Sequence, residues 1–158
     1  MKSKSVNVVL LIVCFFVWMS HDCMASSDKS PSGIIKWYQY DEGMARGQKE
    51  KKNVFLNFYA NWCGYCKKMD NGTFKNPSVI AYLNENFISV KVNTEKERRI
   101  AAKYYVNGLP TSWFVSKDGE KISNLPGYVP ADMLMNILKY IHTDSYKKMN
   151  FKKFLDSM

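Results

Sequence analysis

Strand-like apolar runs alternate with helix-like amphipathic segments along most of this chain. Val54-Phe55-Leu56-Asn57-Phe58-Tyr59-Ala60 is apolar apart from Asn57 and predicts a buried central strand. Phe87 to Asn93 alternates, with Ile88, Val90 and Val92 on one face and Ser89, Lys91 and Asn93 on the other, which predicts a second strand. Thr111 to Ser116 predicts a third, Lys117-Asp118-Gly119-Glu120 a hairpin turn, and Lys121 to Leu125 the returning edge strand. Ile34, Ile35 and Trp37 suggest a short extended segment ahead of these. Helices are predicted over Asp41 to Lys51, with Met44 and Ala45 facing inward, and from near Cys63 to about Asn71. Asn76-Pro77 opens another, with Val79, Ile80 and Leu83 on its inner face, and Glu95 to Tyr105 forms the next. The last starts at Pro130, where a missing N–H costs nothing, and carries the stripe Met133, Leu134, Ile137, Leu138 and Ile141. This order predicts a single α/β domain.

The N-terminus follows a different pattern. Lys2 and Lys4 precede an apolar stretch from Val6 to Met19, which is too short to span a bilayer comfortably, and Cys23-Met24-Ala25 fits a cleavage site. Residues 1–25 therefore predict a secretory signal peptide, with an uncleaved anchor as the alternative, and 26–33, Ser-rich with Pro31, a flexible lead-in. The domain is expected over 34–142 and a basic amphipathic tail over 143–158. Loss of the leader would leave Cys63 and Cys66 as the only two of the four cysteines. An exported protein with one such pair has no structural bridge to spare, so the pair itself is the expected function. The chain has 158 residues, is 46% hydrophobic and carries a formal charge of +9, which excludes global disorder and leaves a basic surface. An exported basic chain seldom meets nucleic acid, so no nucleic-acid partner is expected.

Trp62-Cys63-Gly64-Tyr65-Cys66 follows the central strand directly. A strand that delivers Cys-x-x-Cys to the first turn of a helix is a device for thiol–disulfide exchange. Two intervening residues bring both sulfurs to one helix end, where free N–H groups and the helix dipole stabilise a thiolate. The competing reading is structural zinc, which needs four ligands. Two cysteines and the distant His142 fall short, so no metal is expected.

Three motifs together resemble the thioredoxin-like family, over residues 34–142: Phe58-Tyr59-Ala60-Asn61-Trp62-Cys63-x-x-Cys66-Lys67, then Gly108-Leu109-Pro110-Thr111, then Lys117-Asp118-Gly119-Glu120 followed by Gly127. The chain looks most like the exported reductase type, including the C-terminal domain of the DsbD transmembrane electron carrier. The resemblance implies a thioredoxin fold, with a central mixed β-sheet flanked by helices. It implies that Cys63 is an exposed nucleophile and that Cys66 resolves the mixed disulfide. Pro110 matches the family's cis-proline, which places the backbone of Leu109 beside the sulfurs to pair with an extended substrate. Trp62 would shield the site, and Gly64 and Tyr65 would border the substrate with it. No cofactor beyond the redox-active Cys63–Cys66 disulfide is implied.

One position departs from the family. The acid usually buried six residues before the first cysteine is Asn57 here. An amide cannot exchange a proton at working pH. Lys91 matches the lysine that normally faces that acid, and Asp70, one helix turn after Cys66, is the candidate to assist Cys66; the alternatives are a hydrogen-bonded core amide at Asn57 and a solvated helix residue at Asp70.

The sequence thus predicts an exported, periplasmic thiol–disulfide oxidoreductase that reduces disulfide-containing exported proteins and is recharged by a membrane thiol electron carrier. Gly64-Tyr65 between the cysteines also occurs in exported isomerases of the family, so an oxidase or isomerase is the alternative enzyme. A dedicated client-binding assembly factor, for instance in cytochrome maturation, is the alternative from another class. In the tail, Tyr146, Met149, Phe151, Phe154, Leu155 and Met158 are interleaved with Lys147, Lys148, Lys152 and Lys153. That pattern fits either an extra helix packed on the domain or a membrane-surface contact.

Overall fold

The computed structural model describes residues 33–158. The expected signal peptide and nearly all of the lead-in lie outside the described residues. The chain order is β1 (Trp37–Tyr38), α1 (Tyr40–Glu50), β2 (Asn53–Tyr59), α2 (Gly64–Asn71), a 3-10 turn (Thr73–Lys75), α3 (Pro77–Asn86) and β3 (Phe87–Asn93). It continues with α4 (Arg98–Lys103), β4 (Thr111–Val115), β5 (Lys121–Pro126), α5 (Ala131–His142), a second 3-10 turn (Ser145–Lys147) and α6 (Phe151–Asp156).

The strands form one sheet in the order β1-β3-β2-β4-β5. β3 pairs in parallel with β1 and β2, whereas β4 runs antiparallel to both β2 and β5. The sheet is therefore mixed and covered by helices on both faces, as the thioredoxin resemblance implied. β2 lies at its centre, and for that reason its apolar run is continuous rather than alternating. β3 is covered on both faces too. Its polar residues Ser89 and Asn93 are buried, and only Lys91 is half-buried.

Each face holds its own core. Phe55, Met69, Phe74, Leu83, Phe114 and Leu138 fill the space under α2, α3 and α5. Val54, Leu56, Phe58, Val90, Val92 and Tyr104 fill the other, with Tyr40 of α1. Burial, and secondarily the hydrogen bond to the Tyr40 hydroxyl, push the Tyr104 phenol well above the usual tyrosine range.

Three elements differ from the sequence expectation. α1 presents Tyr40, Gly43 and Gly47 inward, with Met44 half-buried against the same core as expected, whereas Ala45 is exposed. A Cβ on Gly43 would lie 2.0 Å from Val90 Cγ2, and one on Gly47 2.5 Å from Val54 Cγ2. The helix backbone packs directly on the sheet, a contact that a search for large apolar residues overlooks. α4 is shorter than Glu95 to Tyr105 because Asn93 Oδ1 accepts from the N–H groups of Glu95 and Lys96 and turns the chain first. On α5, Met133 faces solvent, while Met135 and Tyr140 join the packed side.

α3 starts as expected. Asn76 Oδ1 accepts from the N–H groups of Ser78 and Val79, and Pro77 follows at the first helical position. The tail forms the extra helix. Phe151 and Phe154 pack on Tyr140 of α5 at centroid distances of 5.3 and 5.2 Å, and the Tyr140 hydroxyl donates to the Met149 carbonyl. None of the described helices is long and apolar enough to cross a membrane.

Candidate active site

β2 ends at Tyr59, and Ala60-Asn61-Trp62 leads straight into the cap of α2. The Cys63 N–H donates to the Ala60 carbonyl at 3.1 Å, closing that turn. Cys63 is the cap residue itself, with extended backbone angles. The Cys66 N–H, one of the donors that a helix start leaves without a backbone partner, points to Cys63 Sγ at 3.1 Å. The two cysteines are joined by a disulfide with Cα atoms 5.2 Å apart. A free N–H and the positive end of the helix at this sulfur favour its thiolate once the bond is reduced.

Cys63 is not the exposed residue the resemblance implied. It is 4% exposed and Cys66 3%, packed with Ala60, Tyr59 and Leu109. Leu109 packs over the disulfide. The exposed groups are its neighbours, Trp62 at 70% and Tyr65 at 64%. Gly64 between them has open space where a Cβ would stand. The Leu109–Pro110 peptide bond is cis. The Pro110 carbonyl accepts from the Gly127 N–H at 2.7 Å, and Thr111 Oγ1 donates to the Gly108 carbonyl at 2.8 Å. The Leu109 loop is thus tied on both sides while Leu109 itself rests on the cysteines.

On the sheet face beneath α2, Asn57 is 2% exposed and donates through Nδ2 to Ser112 Oγ at 3.2 Å. Lys91, the register partner of Asn57 on β3, does not turn to it. Its Nζ donates to Asp70 Oδ1 at 2.6 Å and lies 4.9 Å from the Tyr59 ring centre and 5.4 Å from that of Trp37. The structure therefore joins the two charged residues picked out from the sequence into one half-buried pair. Among the described residues, no group of three or more His, Cys, Asp or Glu is placed to hold a metal ion. His142 is engaged at a distance from the cysteines, with Nδ1 3.0 Å from the Tyr82 hydroxyl.

The family described as thioredoxin-like domain matches residues 40–142. This chain belongs to that family. The thioredoxin-like chain is 32% identical over 118 residues to thioredoxin of Borreliella burgdorferi, covering 73% of this chain and 96% of that one. It is 30% identical over 113 residues to thiol:disulfide interchange protein DsbD of Photorhabdus laumondii, covering 68% of this chain but only 19% of that one. The match to that DsbD thus spans about a fifth of its length. Among solved structures, the C-terminal domain of Neisseria meningitidis DsbD in the reduced form is 31% identical, with a TM-score of 0.53, over 63% of this chain and 90% of that domain. A thioredoxin from Thermus thermophilus superposes with a TM-score of 0.63 at 28% identity, over 68% of this chain and 87% of that one. Cys63–Cys66 is the disulfide of this thioredoxin-like domain, at the strand–helix junction.

Two features of this thioredoxin-like site were not legible in the sequence. Ser112 meets Asn57 only because β4 pairs with β2 in one particular antiparallel register. The ring faces of Tyr59 and Trp37 around Lys91 come from the two strands that flank β3. No periodicity marks either arrangement.

Proposed function

We propose that this protein is exported to the periplasm and reduces disulfides in other exported proteins. One observation carries the mechanism: the Cys66 N–H at Cys63 Sγ, at the start of α2. It supports Cys63 as the attacking thiolate. The Cys63 thiolate attacks one sulfur of the client disulfide, and the other client sulfur leaves as a thiolate that takes up a proton. Cys66 loses its proton and attacks Cys63 Sγ, and the second client sulfur leaves. Two electrons and two protons pass to the client, and Cys63–Cys66 ends as a disulfide. Trp62, Gly64 and Tyr65 border the client, and the backbone of Leu109 ahead of Pro110 pairs with it. Export is supported by the leader pattern of residues 1–25, and a membrane thiol carrier is the electron source the proposal requires. If the tail touches a membrane surface, the contact is electrostatic. Phe151 and Phe154 are spent on Tyr140, whereas Lys147, Lys148, Lys152 and Lys153 are exposed.

The test is the reduction potential of Cys63–Cys66, measured by equilibration with glutathione. We expect a value near −270 mV, typical of thioredoxin; a value near −120 mV, typical of DsbA, would instead make the protein an oxidase. Cys63–Cys66 found mostly oxidised in the exporting cell at steady state would also overturn the reductase reading.

In this mechanism Asp70 takes over from the missing buried acid by accepting the Cys66 proton, directly or through water, while Lys91 favours the charged forms. Asp70→Asn keeps the shape and removes the acceptor. The resolving step at neutral pH is expected to slow by about tenfold or more, with an altered pH dependence of thiol exchange. Stopped-flow exchange across pH checks this, and an unchanged profile would remove Asp70 from the mechanism.

A further inference from the structure

Positive charge lies on both sides of the exposed Trp62–Tyr65 pair, and we infer that it selects clients whose disulfide cysteines lie among acidic residues. The inference rests on the reading of Cys63–Cys66 as a reductant and names the class of client.

One flank is α2. Lys67 and Lys68 follow Cys66 directly and are exposed. The helix's single acid, Asp70, is already bound to Lys91. Lys68 is also fixed in place, its Nζ 4.6 Å from the centre of the Tyr128 ring. Tyr128 follows Gly127, whose N–H holds the Pro110 carbonyl at 2.7 Å. On its other side, the Val129 carbonyl accepts from Thr73 Oγ1 at 2.7 Å. Lys68 is therefore seated on the loop that braces the Leu109–Pro110 ledge.

The other flank follows β3. The Thr94 N–H donates to the Tyr59 carbonyl at 2.9 Å, and Asn93 Nδ2 lies 3.5 Å from Asn61 Oδ1. The segment after Asn93 thus starts where β2 gives way to Trp62. It carries exposed Lys96, Arg98 and Arg99. Its two acids are Glu95 and Glu97, and Glu97 Oε1 is turned back to accept from the Asn93 N–H at 3.3 Å. Basic groups outnumber acidic ones on both flanks.

An extended client rises about 3.3 Å per residue, so residues two or three places from its cysteine lie about 7–10 Å away. That is about the Debye length at physiological salt. Acidic residues at those places feel the field of this pole and basic ones are repelled.

The experiment uses the reduced full chain and three cyclic disulfide peptides that differ only at the positions flanking each cysteine: aspartate, serine or lysine. Each reaction moves two electrons and two protons, turning the peptide disulfide into a dithiol and Cys63–Cys66 into a disulfide. Every rate is divided by that with a small neutral dithiol, which removes the effect of flanking charge on the leaving thiol. At low salt, the aspartate peptide is expected to react about tenfold or more faster than the lysine peptide. In 0.5 M salt that ratio should shrink to under about threefold. Lys68→Glu combined with Arg98→Glu should collapse the ratio, which cancels any change in the reactivity of Cys63. Lys152→Glu with Lys153→Glu, on α6, should leave it intact. Equal rates for the three peptides at low salt, or a preference that salt does not weaken, would overturn the inference and leave the reductant reading standing. A serine peptide that is not reduced at all would overturn that reading, and the inference with it.

Discussion

Cys63→Ser is expected to abolish exchange, with a loss of at least about 10³-fold, while Cys66→Ser locks the protein onto its client. A serine hydroxyl at position 63 gains little from the helix start, because it is not ionised near neutral pH and cannot form the mixed disulfide. Cys66→Ser leaves the attack by Cys63 intact and removes the resolving thiol. The covalent client–Cys63 adduct then accumulates and survives non-reducing electrophoresis. The two variants separate the roles that the geometry suggests: Cys63 as the sulfur at the cap, Cys66 as the buried one supplying the N–H. If Cys63→Ser trapped clients and Cys66→Ser did not, the roles would be reversed.

Phe114→Ala should cost about 3–5 kcal/mol of folding stability, the usual loss for emptying a large aromatic site in a packed core. Phe114 is fully buried on β4, with Phe55 5.4 Å and Phe87 6.0 Å away between ring centres. Those rings come from three different strands, so no single rotamer change fills the hole. Denaturant unfolding followed by tryptophan fluorescence measures the loss, which is a large part of the 5–15 kcal/mol typical of a domain this size. A cost below about 1 kcal/mol would mean that the core under α2 and α5 collapses around the gap. The same strand begins at Thr111, directly after the cis-proline, so unfolding of β4 removes the client ledge along with the core.

Much of this architecture is legible in the sequence. The buried central strand β2 and the division of β3 into an apolar and a polar face appear as expected, and so does the turn between β4 and β5. Their signals are local: side-chain period, turn residues, and the proline and asparagine at the start of α3. Two departures have separate physical causes. Gly43 and Gly47 join the inner face of α1 by lacking side chains, so hydrophobicity points past them to Ala45, which is exposed. The exposure of Cys63 was misjudged because its cover, Leu109, lies 46 residues further along the chain.

The sequence by itself determined the chemistry. Cys-x-x-Cys between a strand and a helix start and a leucine–proline–threonine segment whose proline lies 44 residues after Cys66 together point to the proposed thiol–disulfide exchange, because the two sulfurs and the helix start beside them are neighbours in the chain. Only the tertiary structure decided how the rest of the site is shared out. Parallel pairing of β2 with β3 brought Lys91 under α2, where Asp70 holds it. Antiparallel pairing of β2 with β4 gave Asn57 its partner in Ser112. Buried polar and charged groups must find partners, and strand register, which no single stretch of sequence encodes, decides which ones they meet.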